Sequence, residues 1–316
     1  MAKRRNDSSF SLRNLFIVFI FGVIVLVFLL DILKNKTKYV APAPTIPAPT
    51  ITSTPSLAPI AVPIPIVIPT TAPGPVLTNK IYTTIEHYNP PLIPKVTAYT
   101  LIFIGDSMTE SLGINFDDLR KDLARYYPDH IFGLFNYGFG STNILSMEDR
   151  LNHDTLYKGM TFPAILNRDF NIIFIESSGN NPLSQYPLDQ GLALQTAALD
   201  HMVAEITDRH PTSLIVFIAT VAPSQELYGK GVVDLTPTVR AQWANERRAY
   251  IENHINYAKN HFIPLINVYE KTLNKNGTAM TKYLNPNDYI HPSFAGVTLI
   301  SQMVADFLFK NKILLN

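Results

Sequence analysis

Short apolar runs alternate with amphipathic stretches from residue 100 onward, and this alternation constrains the fold most strongly. The apolar runs are Thr100–Ile104, Ile131–Phe135, Asn171–Ile175, Ser213–Ala219 and Phe262–Val268. The amphipathic stretches are Phe116–Tyr127, Asn143–Leu151, Leu188–Arg209, Val239–Asn260 and Ser293–Lys310. Short apolar runs separated by helices are typical of βαβ units whose parallel sheet is covered on both faces. The sequence therefore predicts an α/β fold, a three-layer α/β/α sandwich with about five parallel strands and right-handed crossovers.

A second apolar run, Leu15 to Leu30, lies near the N-terminus and carries no charged residue. The basic residues that precede it are Lys3, Arg4, Arg5 and Arg13. An apolar helix of about 18–20 residues spans a bilayer, and flanking basic residues stay on the cytoplasmic side. We therefore expect a cytoplasmic tail at 1–14, a transmembrane anchor at 15–33, and the remainder outside the cell. A cleaved signal peptide is the alternative, although Ala41-Pro42-Ala43, which resembles a cleavage site, lies far from the apolar run.

Residues 40–79 form a segment without charge in which Pro, Ala, Thr and Ile alternate. Proline fixes φ and removes an amide donor, so neither a helix nor the interior of a sheet is expected here. A polyproline II spacer would extend about 3 Å per residue and could hold a domain away from a membrane. Passive disorder is the simpler interpretation. The folded, catalytic domain is then expected over residues 80–316.

Composition excludes several classes of function. Charged residues make up 16% of the chain and the net charge is +1, so no basic surface for nucleic acid is expected. Cysteine is absent, which excludes disulfides, a thiol nucleophile and cysteine-ligated metal. The histidines at 87, 130, 153, 201, 210, 254 and 261 show no metal-ligand spacing, and we interpret them as surface or helix-end residues.

Polar motifs follow three of the predicted strands, and a fourth precedes the last predicted helix. They are Gly105-Asp106-Ser107, Gly138-Phe139-Gly140-Ser141-Thr142, Ser178-Gly179-Asn180-Asn181 and Asp288-Tyr289-Ile290-His291. Each motif alone is also typical of ordinary helix caps and turns. Because sites in parallel sheets form at the carboxyl ends of the strands, we expect these motifs to meet at one edge.

The residue types in these motifs suit acyl transfer. A serine just beyond a buried strand, on a turn into a helix, is exposed at the rim of the sheet. Asp288 precedes His291 by three residues, which lets the carboxylate orient a nearby imidazole as a general base requires. The amide of Asn180 can donate a hydrogen bond to a developing oxyanion. Glu176 ends the third strand and is a candidate acceptor supporting the site.

Taken together, the four motifs make residues 99–310 resemble the SGNH hydrolase family, also called GDSL-like lipases and esterases. The resemblance lies in Gly-Asp-Ser at 105–107, the glycine after the second strand, Ser-Gly-Asn-Asn at 178–181 and Asp-x-x-His at 288–291. Two positions depart from the family pattern, since Ser178 replaces a glycine and Asn181 replaces an aspartate. Either Gly138 or Gly140 can be the glycine of the second block, and we prefer Gly140.

The resemblance implies a serine ester hydrolase that needs neither metal nor cofactor. It implies Ser107 as the nucleophile, His291 as the base and Asp288 as its partner. It also implies an oxyanion hole formed by Ser107, Gly140 and Asn180. The expected substrate is an ester of a glycan or a lipid, O-acetyl esters included. Two alternatives stay open: an O-acyltransferase acting on a surface or wall glycan, and a non-catalytic binding domain with this fold.

Two long loops are expected to shape the substrate pocket. They are the segments Asn152–Arg168 and Ser224–Pro237, which follow the second predicted helix and the fourth predicted strand. Long loops on a rigid sheet often carry specificity.

Overall fold

The structure is a computed structural model that describes residues 86–314. The predicted tail at 1–14, anchor at 15–33 and linker at 40–79 lie outside these residues. Along the described part of the chain, no helix is both long and apolar enough to cross a membrane.

The described residues form strands and helices in alternation. The strands are β1 (Ala98–Gly105), β2 (Ile131–Gly138), β3 (Thr155–Tyr157), β4 (Met160–Phe162), β5 (Ile172–Glu176), β6 (Leu214–Ala219) and β7 (Leu265–Asn267). The α-helices are α1 (Ser107–Glu110), α2 (Asp117–Tyr126), α3 (Ile144–Asn152), α4 (Leu188–Arg209), α5 (Pro237–Asn260), α6 (Val268–Lys271) and α7 (Phe294–Lys310). Short 3₁₀ turns occupy Ile165–Asn167 and Thr281–Tyr283.

Five of these strands form one sheet in the order β2-β1-β5-β6-β7, and every neighbouring pair is parallel. The α/β fold with a five-stranded parallel sheet is therefore confirmed. From β1 the chain first adds β2 on one side and then β5, β6 and β7 on the other. The β1/β5 boundary is therefore the topological switch point of a doubly wound sheet. In the register, Gly105 lies beside Gly138 and Ile104 beside Ile175, so β1, β2 and β5 end at one level.

Helices cover the sheet in two groups. Helix α2 packs on α7, whereas α3, α4 and α5 pack on one another in series. Right-handed crossovers put the helix after β1 on one face and the helices after β2, β5 and β6 on the other. The result is the three-layer sandwich that the alternation in the sequence predicts.

The central strands are buried on both faces. All residues of β5 and β6 are buried, and Leu101 to Ile104 of β1 are at most 1% exposed. The rings of Phe103 and Phe174 stack at 4.4 Å between β1 and β5. Burial on both faces explains why these strands read as continuous apolar runs rather than alternating ones.

Two sequence predictions differ from the structure in physically clear ways. The predicted strand Phe262–Val268 shortens to β7, because Phe262 has a left-handed φ of 59° and Asn267 already caps α6. The predicted loop 152–168 contains β3 and β4, which pair as an antiparallel hairpin. Its turn residues, Lys158 and Gly159, both have positive φ, as tight hairpin turns require.

The interpretation of all seven remaining histidines as surface or helix-end residues is wrong for His254. This residue lies inside α5, is fully buried, and stacks on Phe217 at 4.2 Å. Burial lowers the pKa of His254 to about 3, so the imidazole is a neutral part of the core.

Candidate active site

Ser107 begins helix α1, immediately after the buried strand β1. Asp106 caps this helix, and its carboxylate accepts the amide N–H of Met108 at 2.8 Å. An aspartate at this position satisfies an amide that the first helical turn leaves without a partner. The cap fixes the backbone turn after β1, which directs Ser107 out of the sheet and into a cleft.

Gly140 follows β2 and lines the same cleft, whereas Gly138 donates its N–H to Asn136 Oδ1 at the end of the strand. A Cβ on Gly140 would lie 2.8 Å from Glu110 Oε2 and 3.6 Å from the Cβ of Ser107. A side chain at this position would therefore have to displace the carboxylate end of Glu110, which is flexible. The backbone of Gly140 lies next to the serine.

Asn180 follows β5 and is 7% exposed, at the wall of the cleft. Its Oδ1 accepts the hydroxyl of Tyr228 at 3.2 Å. Its Nδ2 is buried and has no hydrogen-bond partner among the described residues. Since a buried donor without a partner is costly, such a group is typical of a site that awaits an acceptor.

His291 and Asp288 form a hydrogen-bonded pair just before α7. Nδ1 of His291 lies 3.0 Å from Oδ2 of Asp288, whose Oδ1 accepts the backbone N–H groups of Ile290 and His291. Burial acts to raise the pKa of Asp288, but the bonds from His291 and these two amides outweigh it and the pKa is lowered. An ionised carboxylate only accepts, so Nδ1 carries the proton and Nε2 is left as an acceptor.

The cleft therefore brings together residues that are distant in sequence. Ser107, Gly140, Asn180 and His291 all line it, with Asp288 directly behind His291, and its volume is about 450 Å³. These are the residues that sequence analysis singles out. The cleft opens at the carboxyl ends of β1, β2 and β5, where the topology predicts a site.

A cluster of side chains on the hairpin side of the cleft was not predicted from the sequence. The hydroxyl of Tyr157 accepts the N–H of Gly140 at 2.8 Å and donates to Glu110 Oε2 at 3.0 Å. Lys158 pairs with the other oxygen of Glu110. The tyrosine ring stacks on Phe139 at 4.3 Å. Only the length of the loop at 152–168 signalled that this segment borders the site.

A second group of side chains lines another part of the cleft. It comprises Tyr228, from the loop Ser224–Pro237 that was expected to shape the pocket, together with Trp243 and Arg247 of α5, which were not predicted. The Arg247 guanidinium lies 5.3 Å from the Tyr228 ring centre and 4.9 Å from that of Trp243. Nothing in the local sequence around Trp243 and Arg247 distinguishes them from an ordinary amphipathic helix face.

Two buried carboxyl groups, those of Asp106 and Glu176, lie at the neighbouring ends of β1 and β5. Glu176 Oε2 accepts the N–H of Asp106 at 3.3 Å. Glu176 Oε1 accepts from the hydroxyl of Ser177 and from the backbone N–H of Ser178. Burial, followed by repulsion from Asp106, raises the pKa of Glu176 well above its ordinary value. Glu176 thus supports the site as an acceptor, as the sequence indicated.

Both departures from the family pattern have a structural account. Asn181 donates Nδ2–H to Asp106 Oδ2 at 2.9 Å, where an aspartate would set a second carboxylate against a buried one. Ser178 has a φ of 47°, in the left-handed region that glycine adopts without strain. Its hydroxyl bonds to the sulfur of Met147, so the side chain has a partner in the core.

Comparison with known proteins adds to this geometry. The sequence model of the GDSL-like lipase/acylhydrolase family matches residues 103–299, which is more than half of the chain and includes every candidate site residue. No curated protein matches the chain. The chain belongs to the GDSL-like lipase/acylhydrolase family, and this membership supports acylhydrolase or esterase activity.

Solved structures with this fold resemble the chain at low sequence identity. A gut microbial diltiazem-metabolizing enzyme is 14% identical with a TM-score of 0.51, over 69% of this chain and 48% of that chain. The lipase/acylhydrolase from Enterococcus faecalis is 16% identical with a TM-score of 0.46, over 67% and 96%. An acetylxylan esterase from Geobacillus stearothermophilus is 15% identical with a TM-score of 0.43, over 69% and 96%. The likeness to the first of these, whose TM-score is above 0.5, is one of fold alone.

The buried carboxyl of Glu176 predicts a pH-dependent stability. Because the folded protein holds this proton after the unfolded chain releases it, the free energy of unfolding falls as pH rises above the ordinary value of 4.5. Because glutamine stays neutral, we expect the free energy of unfolding of Glu176→Gln to fall less than that of the parent as pH rises. Urea unfolding between about pH 5 and 8 measures the two slopes.

Glu86→Gln is the control for this measurement, since Glu86 is exposed and should leave the slope unchanged. Parallel slopes for Glu176→Gln and the parent would contradict the interpretation of Glu176 as a protonated group at the end of β5.

Proposed function

We propose that this protein is a serine esterase that hydrolyses acyl esters, O-acetyl esters included, through Ser107, His291 and Asp288. One observation carries the proposal: a single cleft is lined by a serine, an imidazole with its carboxylate partner, and a buried amide donor that has no partner among residues 86–314. The ester belongs to a glycan or a lipid. The family membership supports the reaction class.

In the proposed reaction, the Ser107 hydroxyl attacks the acyl carbonyl and its proton passes to Nε2 of His291. Asp288 holds Nδ1–H and stabilises the imidazolium that forms. The carbonyl oxygen becomes an oxyanion, and it accepts from the Ser107 N–H, the Gly140 N–H and Nδ2 of Asn180. The alcohol leaves with the proton from His291. Water, activated by the same imidazole, then releases the acid and restores the serine.

The oxyanion donors supply the main electrostatic stabilisation in this scheme. Loss of one such donor typically lowers kcat by about 10²–10³-fold, because the interaction is stronger in the transition state than in the ground state. The unpartnered Nδ2 of Asn180 supports this role, since substrate would provide the acceptor that the described residues lack.

The nucleophile is tested by covalent labelling of the full-length protein. We expect a fluorophosphonate probe to label the parent and not Ser107→Ala, because the probe forms a bond to an activated serine oxygen. Mass spectrometry of the labelled peptide and gel fluorescence measure the reaction. Ser184→Ala, at an exposed position outside the cleft, is the matched control and should label like the parent. Equal labelling of the parent and Ser107→Ala would refute the assignment, as would no labelling of either.

The Tyr157 hydroxyl occupies the Gly140 N–H that the oxyanion needs, so substrate must displace it. Tyr157→Phe removes the competing acceptor and keeps the ring that stacks on Phe139. A hydrogen bond is worth about 0.5–1.5 kcal/mol, so we expect kcat/KM for p-nitrophenyl acetate to rise about two- to tenfold.

The control for this variant is Tyr126→Phe, whose hydroxyl bonds to Asp306 between α2 and α7. It should leave kcat/KM unchanged. A fall in kcat/KM for Tyr157→Phe would show that the hydroxyl takes part in catalysis rather than competing with substrate.

We further propose that residues 15–33 anchor the protein in the cell membrane as a single span, with the N-terminus inside. The uncharged run and the basic residues before it support this topology. The Pro-rich segment 40–79 then acts as a spacer, and the catalytic domain faces the outside. An epitope inserted after residue 80 should be accessible to an antibody on intact cells, and one after residue 2 only after permeabilisation. The opposite pattern would refute the topology.

A further inference from the structure

The amide of Asn180 is held by a chain of hydrogen bonds that begins on helix α5. Nε of Arg247 donates to the Tyr228 hydroxyl at 3.2 Å, and that hydroxyl donates to Oδ1 of Asn180 at 3.2 Å. Both Asn180 and Tyr228 are buried, at 7% and 3% exposure. The three side chains come from three segments that are separate in sequence.

The direction of this chain follows from the chemistry of its members. A guanidinium can only donate, so the Tyr228 oxygen accepts from Arg247 and its single proton is directed elsewhere. An amide NH₂ cannot accept, so that proton meets Oδ1 of Asn180 rather than Nδ2. The NH₂ group is thereby turned away from Tyr228 and left without a partner among residues 86–314. Reversal of the amide would set two donors, O–H and N–H, against each other.

Helix α5 holds Tyr228 at two points. Arg247 bonds to its hydroxyl, while Arg240, two helical turns earlier, donates to its backbone carbonyl oxygen. Residues seven apart lie on the same face of a helix, so one face of α5 fixes both ends of the tyrosine. The N–H of Tyr228 also donates to the carbonyl of Ser224, which closes the loop.

The electrostatics keep the Tyr228 hydroxyl as a donor. Burial raises the pKa of Tyr228, and the nearby Arg247 only partly opposes this shift, so the phenol stays protonated at neutral pH. A donor that itself accepts from a cation is polarised and binds its own acceptor more strongly.

We infer that Tyr228, directed by Arg247, is a positioning residue that orients the Asn180 amide so that Nδ2 faces the oxyanion. The inference rests on the proposed function, because it assigns a purpose to Asn180 only if an oxyanion forms in this cleft. Tyr228 acts through Asn180, and its hydroxyl is not a donor to the substrate. The amide is oriented before substrate arrives, so Asn180 itself needs no reorganisation in the transition state.

The test is a double-mutant cycle in the full-length protein with Tyr228→Phe, Asn180→Ala and the pair combined. For Tyr228→Phe we expect kcat for p-nitrophenyl acetate to fall about tenfold with KM unchanged, which is less than the loss of an oxyanion donor outright. In the Asn180→Ala background the same change should alter kcat by less than about twofold, because no amide remains to orient.

Tyr257→Phe is the matched control. Like Tyr228, Tyr257 is buried, but it belongs to α5. Its hydroxyl bonds to Asp200 at 2.7 Å, away from the cleft. It should lower the melting temperature without changing kcat. A tenfold loss from Tyr228→Phe that persists in the Asn180→Ala background would overturn the inference, as would a rise in KM with kcat unchanged, since either indicates direct contact with substrate.

The same cycle measured by the rate of fluorophosphonate labelling does not depend on the choice of ester, because phosphonylation also develops charge on an oxygen in this hole. A parent that is not labelled at Ser107 would refute the proposed function itself. A parent that is labelled, with independent effects of the two substitutions, would refute only the role of Tyr228.

Discussion

The parallel pairing of β1 with β2 on one side and β5 on the other is the constraint on which the cleft depends. Because of this register, all three strands end at the same level of the sheet. The loops that follow β1, β2 and β5 therefore start close together. Ser107, Gly140 and Asn180 each follow one of these exits. A slip in either pairing would move one of these residues by a strand step of about 3.3 Å, more than a hydrogen bond tolerates.

Two buried ionisable groups tie these strand ends together. Arg150 of α3 donates to the carbonyl oxygens of Gly105 and Tyr137, which joins the ends of β1 and β2. Burial lowers its pKa to about 10, so it remains charged at neutral pH. Glu176 accepts the N–H of Asp106 and joins β5 to β1. Backbone groups at the rim of a sheet have fewer ladder partners, and here buried side chains bond to them.

Much of the fold follows from local sequence, and part of the cleft does not. The strands β1, β5 and β6 are predictable because burial on both faces demands uninterrupted apolar runs, and α4 agrees with its prediction at both ends. The candidate residues are predictable because each motif lies at a strand end or before a helix. Tyr157 and Tyr228 are not, because their contacts with Gly140 and Asn180 depend on how a hairpin and a loop fold back over the sheet.

His254 shows a different limit. Histidine is more often found at a surface, and a polar residue on a long helix reads as a solvent-facing position. Here the imidazole is neutral and stacks in the core, because α5 is covered by the sheet on that side. The pattern of residues along α5 is weakly amphipathic, so it does not distinguish the inner face from the outer one.

The position of His291 has a consequence for the order in which the protein matures. The imidazole lies immediately before α7, and α7 is held in place by its packing on α2, where Thr298 donates to Asp118 at 2.7 Å. During synthesis Ser107 emerges long before His291, and a serine without its base is a weak nucleophile. Under the proposed mechanism, Ser107 of the nascent chain therefore stays a weak nucleophile until α7 docks on α2 and brings His291 to the cleft.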